Sequence, residues 1–395
     1  MRILVHDYPG HAFPVQLSRA LAARGHTVRH LSFPEFEAPK GPLARRANDP
    51  ENFETEFLSL DAPFAKHSFV RRWRQERELG ALAADAVRRW KPEVVLAGNA
   101  PIDVQAGTLR GTRDAGAAFV YWLQDIVGIA MRRILGRRLS LPGTLVGMAY
   151  EWQEKRLLRA SDAVVAITED FRPMLMDWGV EPSRTHVVEN WAAREDLAAA
   201  PRDNAWAREQ GLTGKTVFLY SGTLGLKHDP SLLRDLAVAN PDALVIVNSE
   251  GRGADWLKAN GAPNLRVLPF QPFARLGEVL ASADILVAVL EPDAGIFSVP
   301  SKVLTYLCAG RPLLLAVPPD NLAARIVTRA GAGLAADPRD RAAFLAAGTR
   351  LGREAATRAA MGAKALDYAA KTFDIAAISA RFETILREAA MRGNR

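Results

Sequence analysis

"SVPSKVLTYLCAGRPLLLAV", residues 298–317, reads as loop, then helix, then buried strand. Its first half is polar and its end is continuously apolar. Pro300 at a first helical turn is ordinary capping, because the N–H it lacks is one the helix could not use. Ser301 and Lys302 beside it surround a helix N-terminus with donors, which suits an anion. A well-capped core helix would read the same way. The closing "PLLLAV" (312–317) has no polar alternation, and that is the mark of a strand covered on both faces of a parallel sheet.

The same unit recurs in both directions along the chain. Before it lie candidate strands at 216–222, 243–249, 265–270 and 284–290, and after it "GLAA" at 333–336. The first half repeats the pattern with strands at 2–7, 27–33, 92–98, 117–124, 162–168 and 185–190, and helices notably over 15–24, 103–115 and 144–160. Residues 34–60, rich in Pro, Glu and Asn, read as an irregular surface excursion. Strand–helix alternation of this kind predicts parallel sheets with helices on both sides. The expected organisation is a Rossmann-like domain over 1–192, a linker with a short helix over 193–214, and a second Rossmann-like domain over 215–370. Residues 371–395 read as an amphipathic helix packing back on the first domain. A ligand would then sit at the C-terminal ends of the strands, between the domains.

At 395 residues the chain exceeds one ordinary core, which agrees with two domains. It is 49% hydrophobic and 24% charged, the balance of a globular protein. A single cysteine excludes an intrachain disulfide framework and points to a reducing cytoplasm. The opening "MRILVHDYPG" enters a strand directly, with no apolar signal region expected. No apolar run approaches the ~18–20 residues of a membrane span. The formal net charge is +7, which favours anionic partners. Basic residues gather in "FVRRWRQER" (69–77) and "MRRILGRR" (131–138) with apolar residues among them. No zinc-finger, helix-turn-helix or RNP signature accompanies them, so nucleic acid is not expected. They suit an anionic membrane surface, or simply a solvated helix face.

Several strand exits carry residues suited to a site. After the first strand, "HDYPGHAFPVQLSRALAARGH" (6–26) holds one turn glycine, Gly10, where a dinucleotide fold wants three, so hydride transfer is disfavoured. "YSGTLGLKHD" (220–229) offers Gly222, Thr223, Gly225 and Lys227: flexible turns, a hydroxyl and an ammonium, the parts of a phosphate cradle. It lacks the Gly-Lys-Ser/Thr ending of a Walker A loop. "VNSEGRGADW" (247–256) places Gly251 and Gly253 where backbone can approach a flat base or a sugar.

The order of "GHAFPVQLSRALAARGH" (10–26), "RASDAVVAITEDFRPMLMDWGV" (159–180), "VFLYSGTLGLKHDP" (217–230), "FARLGEVLASADILVAVL" (273–290) and "VPSKVLTYLCAGRPLLLAV" (299–317) resembles retaining GT-B glycosyltransferases of family 4. The resemblance is nearest to the bacterial branch serving capsule, O-antigen and colanic-acid-type polysaccharides. It implies an α/β GT-B fold, two Rossmann-like domains with parallel sheets facing across a cleft. It also implies a lysine gripping the donor diphosphate, matched by Lys227. The arginine that many members carry after the first glycine is replaced here by Thr223. The family's Glu-x7-Glu positions fall on Phe297 and Thr305, so both acids are missing. Pro300-Ser301-Lys302 resembles the variant of the polysaccharide branch.

The expected diphosphate contacts are therefore Gly10, Gly222, Thr223, Lys227, Ser301 and Lys302. Gly251, Glu291 and Thr305 are the expected base, ribose and sugar contacts, with Asp293 as an alternative to Glu291. Asp125, after the strand "AAFVYWLQ", is the expected catalytic carboxylate, together with Lys227. The implied reaction moves a sugar from a nucleoside-diphosphate sugar to an acceptor hydroxyl with retention, without metal or cofactor. Its leaving group would be stabilised by Lys227 and Lys302. The implied acceptor is linked to polyprenyl diphosphate, at the inner face of the plasma membrane. A sugar-nucleotide 2-epimerase of the same fold and a non-catalytic nucleotide-binding relative are the competing readings.

Overall fold

The structure is a computed structural model that describes every residue except 37–39, 66–67, 198–199, 226–227, 293–300 and 394–395, and the side chains of 137–139. The chain divides into two compact units, residues 1–189 with 374–395, and residues 190–373.

The first unit is built on seven parallel strands: β1 (Arg2–Asp7), β2 (Thr27–Ser32), β3 (Phe53–Phe57), β4 (Val94–Gly98), β5 (Ala118–Leu123), β6 (Ala163–Ala166) and β7 (Thr185–Val187). Their order is β3-β2-β1-β4-β5-β6-β7. The central strands are buried on both faces, from Ile3, Leu4 and Val5 to Val94, Val95 and Leu96, as parallel strands under helices must be. The helix Ile375–Gly393 completes this unit. Its Phe382 is fully buried with its ring 4.9 Å from that of Trp122. Its Glu383 pairs with Arg24 at 2.6 Å.

The second unit holds six parallel strands: β8 (Val217–Ser221), β9 (Leu244–Asn248), β10 (Leu265–Leu268), β11 (Ile285–Val289), β12 (Leu313–Ala316) and β13 (Gly333–Ala336), in the order β10-β9-β8-β11-β12-β13. Its core gathers Phe218, Val245, Val287, Leu314 and Phe344. Residues 193–214 are anchored within this unit. Trp206 is buried, Asn204 donates to Glu278 O and Ser282 Oγ, and Arg202 pairs with Asp284 at 3.0 Å.

All twelve strands expected from sequence are present, and β3 is a thirteenth. It lies in the stretch read as irregular. Its sequence, Phe-Glu-Thr-Glu-Phe, has only Phe53 fully buried. Glu54 and Glu56 are held by Arg29 of the neighbouring β2 at 2.9 and 2.6 Å. An edge strand covered on one side needs little apolar content, so its pattern does not announce it.

The helix expected over 144–160 is half of a longer element. Residues Val127–Ala160 form two helical arms with a break at Ser140, whose φ is +52°. Two glycines let the arms meet backbone to backbone. A Cβ on Gly128 would stand 2.6 Å from Glu151 Cα, and one on Gly147 only 2.3 Å from Arg132 Cα. At the open end, the buried Glu154 carboxylate accepts the N–H groups of Val127 and Gly128 at 3.1 and 2.8 Å. Those are N-terminal amides with no partner of their own inside the helix. Burial pushes the Glu154 pKa up to about 7.

Candidate active site

In each sheet the strand order reverses beside its first strand, between β1 and β4 in one and between β8 and β11 in the other. Loops leaving such a point diverge to opposite faces and open a crevice at the carboxyl ends of the strands.

In the second unit, β8 exits into Gly222 and β11 leads to the short helix Lys302–Leu307. These two paths bring Lys302 over the β8 exit. Its ammonium donates to the Tyr220 hydroxyl, lies 3.8 Å from that ring's centre, and is 3.5 Å from Thr223 O. Tyr220 in turn donates to Thr223 O at 2.7 Å. One turn beyond Lys302, Tyr306 straddles the end of β8. Its hydroxyl accepts from Ser221 N–H at 2.8 Å and donates to Ser221 O at 3.0 Å.

Gly222 has φ +139°, and a Cβ there would press within 3.1 Å of Lys302 Cε and Nζ. The positive φ favours glycine, and a side chain there would also push the end of Lys302 aside. The side chain of Lys302 is half-buried, but its ammonium is desolvated enough to bring its pKa down to about 7. The cause is burial alone: among the described residues no carboxylate pairs with it. A partly desolvated amine with no carboxylate beside it among the described residues suits an anion, which would favour its protonated form.

Three amides of the glycine turn are otherwise occupied. Gly222 N–H donates to Asn248 O, Leu224 N–H to Ser249 Oγ, and Gly225 N–H to His228 Nδ1, at 3.0, 3.1 and 3.1 Å. What this turn presents outward is the exposed Thr223, alongside the Lys302 ammonium. Ser301, also exposed, precedes that helix without a side-chain capping bond, and Thr305 is half-buried one turn on. Gly251 has φ +88° and open space above it. Glu291 is half-buried, two residues beyond β11. Lys227, Asp293, Phe297 and Pro300 lie outside the described residues.

Asn248, at the end of β9 beside Ser221, was not anticipated. It is fully buried, and neither its amide nitrogen nor its oxygen has a hydrogen-bond partner among the described residues. A buried amide without partners is costly, and this one stands at the strand exit beside Ser221. The one signal in the sequence is a polar residue closing the apolar run "ALVIVN".

The corresponding point of the first unit carries the opposite charge. Asp7, at the end of β1, is buried and accepts His11 N–H at 2.6 Å and Asn99 Nδ2 at 2.9 Å. Asn99 sits in the left-handed region at φ +55°, a conformation asparagine tolerates. Burial raises the Asp7 pKa, against the opposing influence of His11 and these hydrogen bonds. Gly10 is folded into the same turn. Its N–H donates to Asp7 O, its carbonyl accepts from Gly41, and a Cβ there would strike Leu43 Cδ1 at 2.7 Å. Its amide is therefore engaged in the turn. Asp125 is exposed at the exit of β5, two residues before the hairpin.

Residues 12–191 match the family model of the Glycosyl transferase 4-like domain. The matched stretch ends just beyond β7 and lies almost wholly in the first unit, without its C-terminal helix. Solved structures similar to the whole chain extend the comparison. Sucrose-phosphate synthase from Thermosynechococcus elongatus aligns with TM-score 0.74 and 14% identity, over 98% of each chain. Anabaena HepE in complex with UDP and glucose aligns at 0.70 and 17%, over 98% of this chain and 99% of that one. The α,α-trehalose 6-phosphate synthase from Burkholderia multivorans gives 0.70 and 11%, over 99% and 97%. No curated protein matches the sequence. The fold of the chain is GT-B, two Rossmann-like units with parallel sheets.

Proposed function

We propose that this protein transfers a sugar from a nucleoside-diphosphate sugar, a UDP-sugar in the first instance, to an acceptor hydroxyl with retention of configuration. The observation that carries the reading is Lys302: a desolvated amine with no carboxylate partner among the described residues, at the strand-order reversal of the second unit and packed over a glycine turn. A diphosphate supplies the missing counter-charge, and its charge grows as the glycosidic bond breaks. Lys227, Ser301 and Thr223 are proposed as further diphosphate contacts, and Gly251, Glu291 and Thr305 as contacts to base, ribose or sugar. Support for uridine comes from Anabaena HepE, whose structures hold UDP and glucose or UDP-glucose. Asp125 is proposed to orient the sugar or accept the acceptor's proton. No metal or cofactor has a part in this scheme.

The proposed setting is synthesis of a bacterial cell-surface polysaccharide. The acceptor would be a polyprenyl-diphosphate-linked sugar, and the enzyme would be peripheral at the cytoplasmic face of the membrane. The test is incubation with UDP-, GDP- and dTDP-sugars, with and without such acceptors, in EDTA. Acceptor-dependent nucleotide release with an unchanged anomeric configuration is the expected result. An isomerised donor would make the protein an epimerase, and binding without turnover would make it a binding protein.

A further inference from the structure

The second arm of the helical hairpin, over residues 141–160, carries an apolar stripe that nothing among the described residues covers. Leu141, Leu145, Met148 and Trp152 are spaced four, three and four residues apart, which puts them on one helix face. They are 71%, 59%, 48% and 62% exposed. Val146 and, on the first arm, Ile134 are exposed as well. A helix normally turns such a stripe into its own core; here the inward face is taken by Gly147 and the buried Glu154.

The charges on the same hairpin select the occupant. Residues 126–160 hold seven Lys or Arg and two Glu. Glu154 is buried, and Glu151 is already engaged by Arg132 at 3.1 Å and Lys155 at 2.7 Å. Arg132 and Arg133 also line a groove between the arms with Ile129, Thr144 and Glu151. Arg156 is exposed, with its guanidinium 5.6 Å from the centre of the Trp152 ring. Two copies meeting stripe to stripe would bring together two surfaces of the same positive sign. An anionic bilayer offers apolar depth for the stripe, negative headgroups for the arginines, and the interfacial level that tryptophan prefers. Among the described residues no helix is long and apolar enough to cross a membrane.

We propose that the hairpin 127–160 is the surface by which this protein docks on a bilayer rich in anionic phospholipid. This specifies the membrane setting proposed above and rests on that setting, but not on the identity of the donor or the reaction. The first arm starts two residues after Asp125, so the hairpin rises from the strand edge that carries that carboxylate.

The experiment is co-sedimentation of the full chain with vesicles of phosphatidylglycerol and phosphatidylcholine, or phosphatidylcholine alone, at low and high salt. Wild type is expected to pellet with the anionic vesicles at low salt and to be released as salt screens the charges. The L145S/M148S/W152S and R133E/R156E variants are each expected to lose at least about tenfold in partitioning. Both should retain native circular dichroism and the thermal shift given by UDP, which reports the second unit separately. Partitioning equal to wild type in both variants would overturn the proposal. So would failure of wild type to bind either vesicle. A dimer in size-exclusion chromatography that the serine variant abolishes, without vesicle binding, would assign the stripe to a second copy instead. A UDP shift that persists while vesicle binding fails would leave the donor reading standing and the docking surface refuted.

Discussion

The two sheets of this protein reverse their strand order in the same way, yet the residues at the two reversal points are chemical opposites. In the first unit the point is closed. Asp7 is buried, its two oxygens accept from His11 N–H and Asn99, and Gly10 is walled by Leu43. In the second unit the point is open to an anion. Lys302 has no carboxylate partner among the described residues, Gly222 keeps a side chain out of its way, and Asn248 beside it is unsatisfied. One topology can therefore provide a turn that is complete by itself and a turn that awaits a ligand. The difference lies in whether the buried polar groups have found their partners within the chain.

That contrast breaks most directly at Lys302. Replacing it with Ala is expected to weaken UDP binding and turnover by about ten- to one-hundred-fold, since a charge-assisted contact is worth roughly 1.5–3 kcal/mol. Asp7→Ala should leave UDP affinity within about twofold. Titration calorimetry on both variants decides, and an equal loss in the two would abolish the distinction between closed and open points.

Stability should respond the other way round. Asp7→Ala leaves the half-buried Asn99 amide and His11 N–H without this acceptor, at a cost of about 1 kcal/mol. Urea unfolding should show this in the transition of the first unit. Unchanged unfolding of that unit would mean that the turn does not depend on its carboxylate.

The pH dependence is expected to belong to the open point. With its pKa lowered to about 7, Lys302 is largely neutral in the free protein above that pH. The unfolded chain binds that proton up to about pH 10.4. The contribution to stability is thus present above the unfolded value and lost as pH falls through about 7. A bound diphosphate restores the proton, so UDP affinity should fall by up to about tenfold per pH unit from pH 7.5 to 9. Lys302→Arg, which keeps its charge, should flatten the profile; an unaltered slope would place the titrating group elsewhere.

Asn248 gives the smallest effect and the sharpest sign. Asn248→Leu, of similar volume, removes an unsatisfied amide and is expected to stabilise the free second unit by about 1 kcal/mol. The same change should lower UDP affinity if the nucleotide completes that amide. Stabilisation with no loss of affinity would make Asn248 an internal defect unrelated to the ligand.

The sequence made most of the framework legible, and its failures have a common cause. Twelve strands were readable because most are apolar runs with polar ends and the rest, such as TVRHLS and LRVL, keep enough apolar residues in the same strand–helix alternation. β3 escaped because Arg29, distant in sequence, neutralises its glutamates. The first arm of the hairpin escaped because Gly136, Ser140, Pro142 and Gly143 break its pattern, while the packing that straightens it out comes from Gly128 and Gly147. At the site, Lys302 and Gly222 were readable as residue types suited to phosphate. Tyr220, Tyr306 and Asn248 were hidden inside apolar runs and looked like core.

Sequence by itself thus determined the alternation of strands and helices, the parallel sheets, the surplus of positive charge and the glycine and lysine types at the strand exits. These are local properties: periodicity, propensity and composition are written along the chain. Tertiary structure alone decided which exits meet, that Lys302 loses its water over Tyr220, that the Gly222 turn has used three of its own amides, and that Asp7 is sealed. Burial and hydrogen-bond satisfaction depend on residues far apart in sequence, Lys302 and Gly222 or Asp7 and Asn99. No window of sequence contains both members of such a pair.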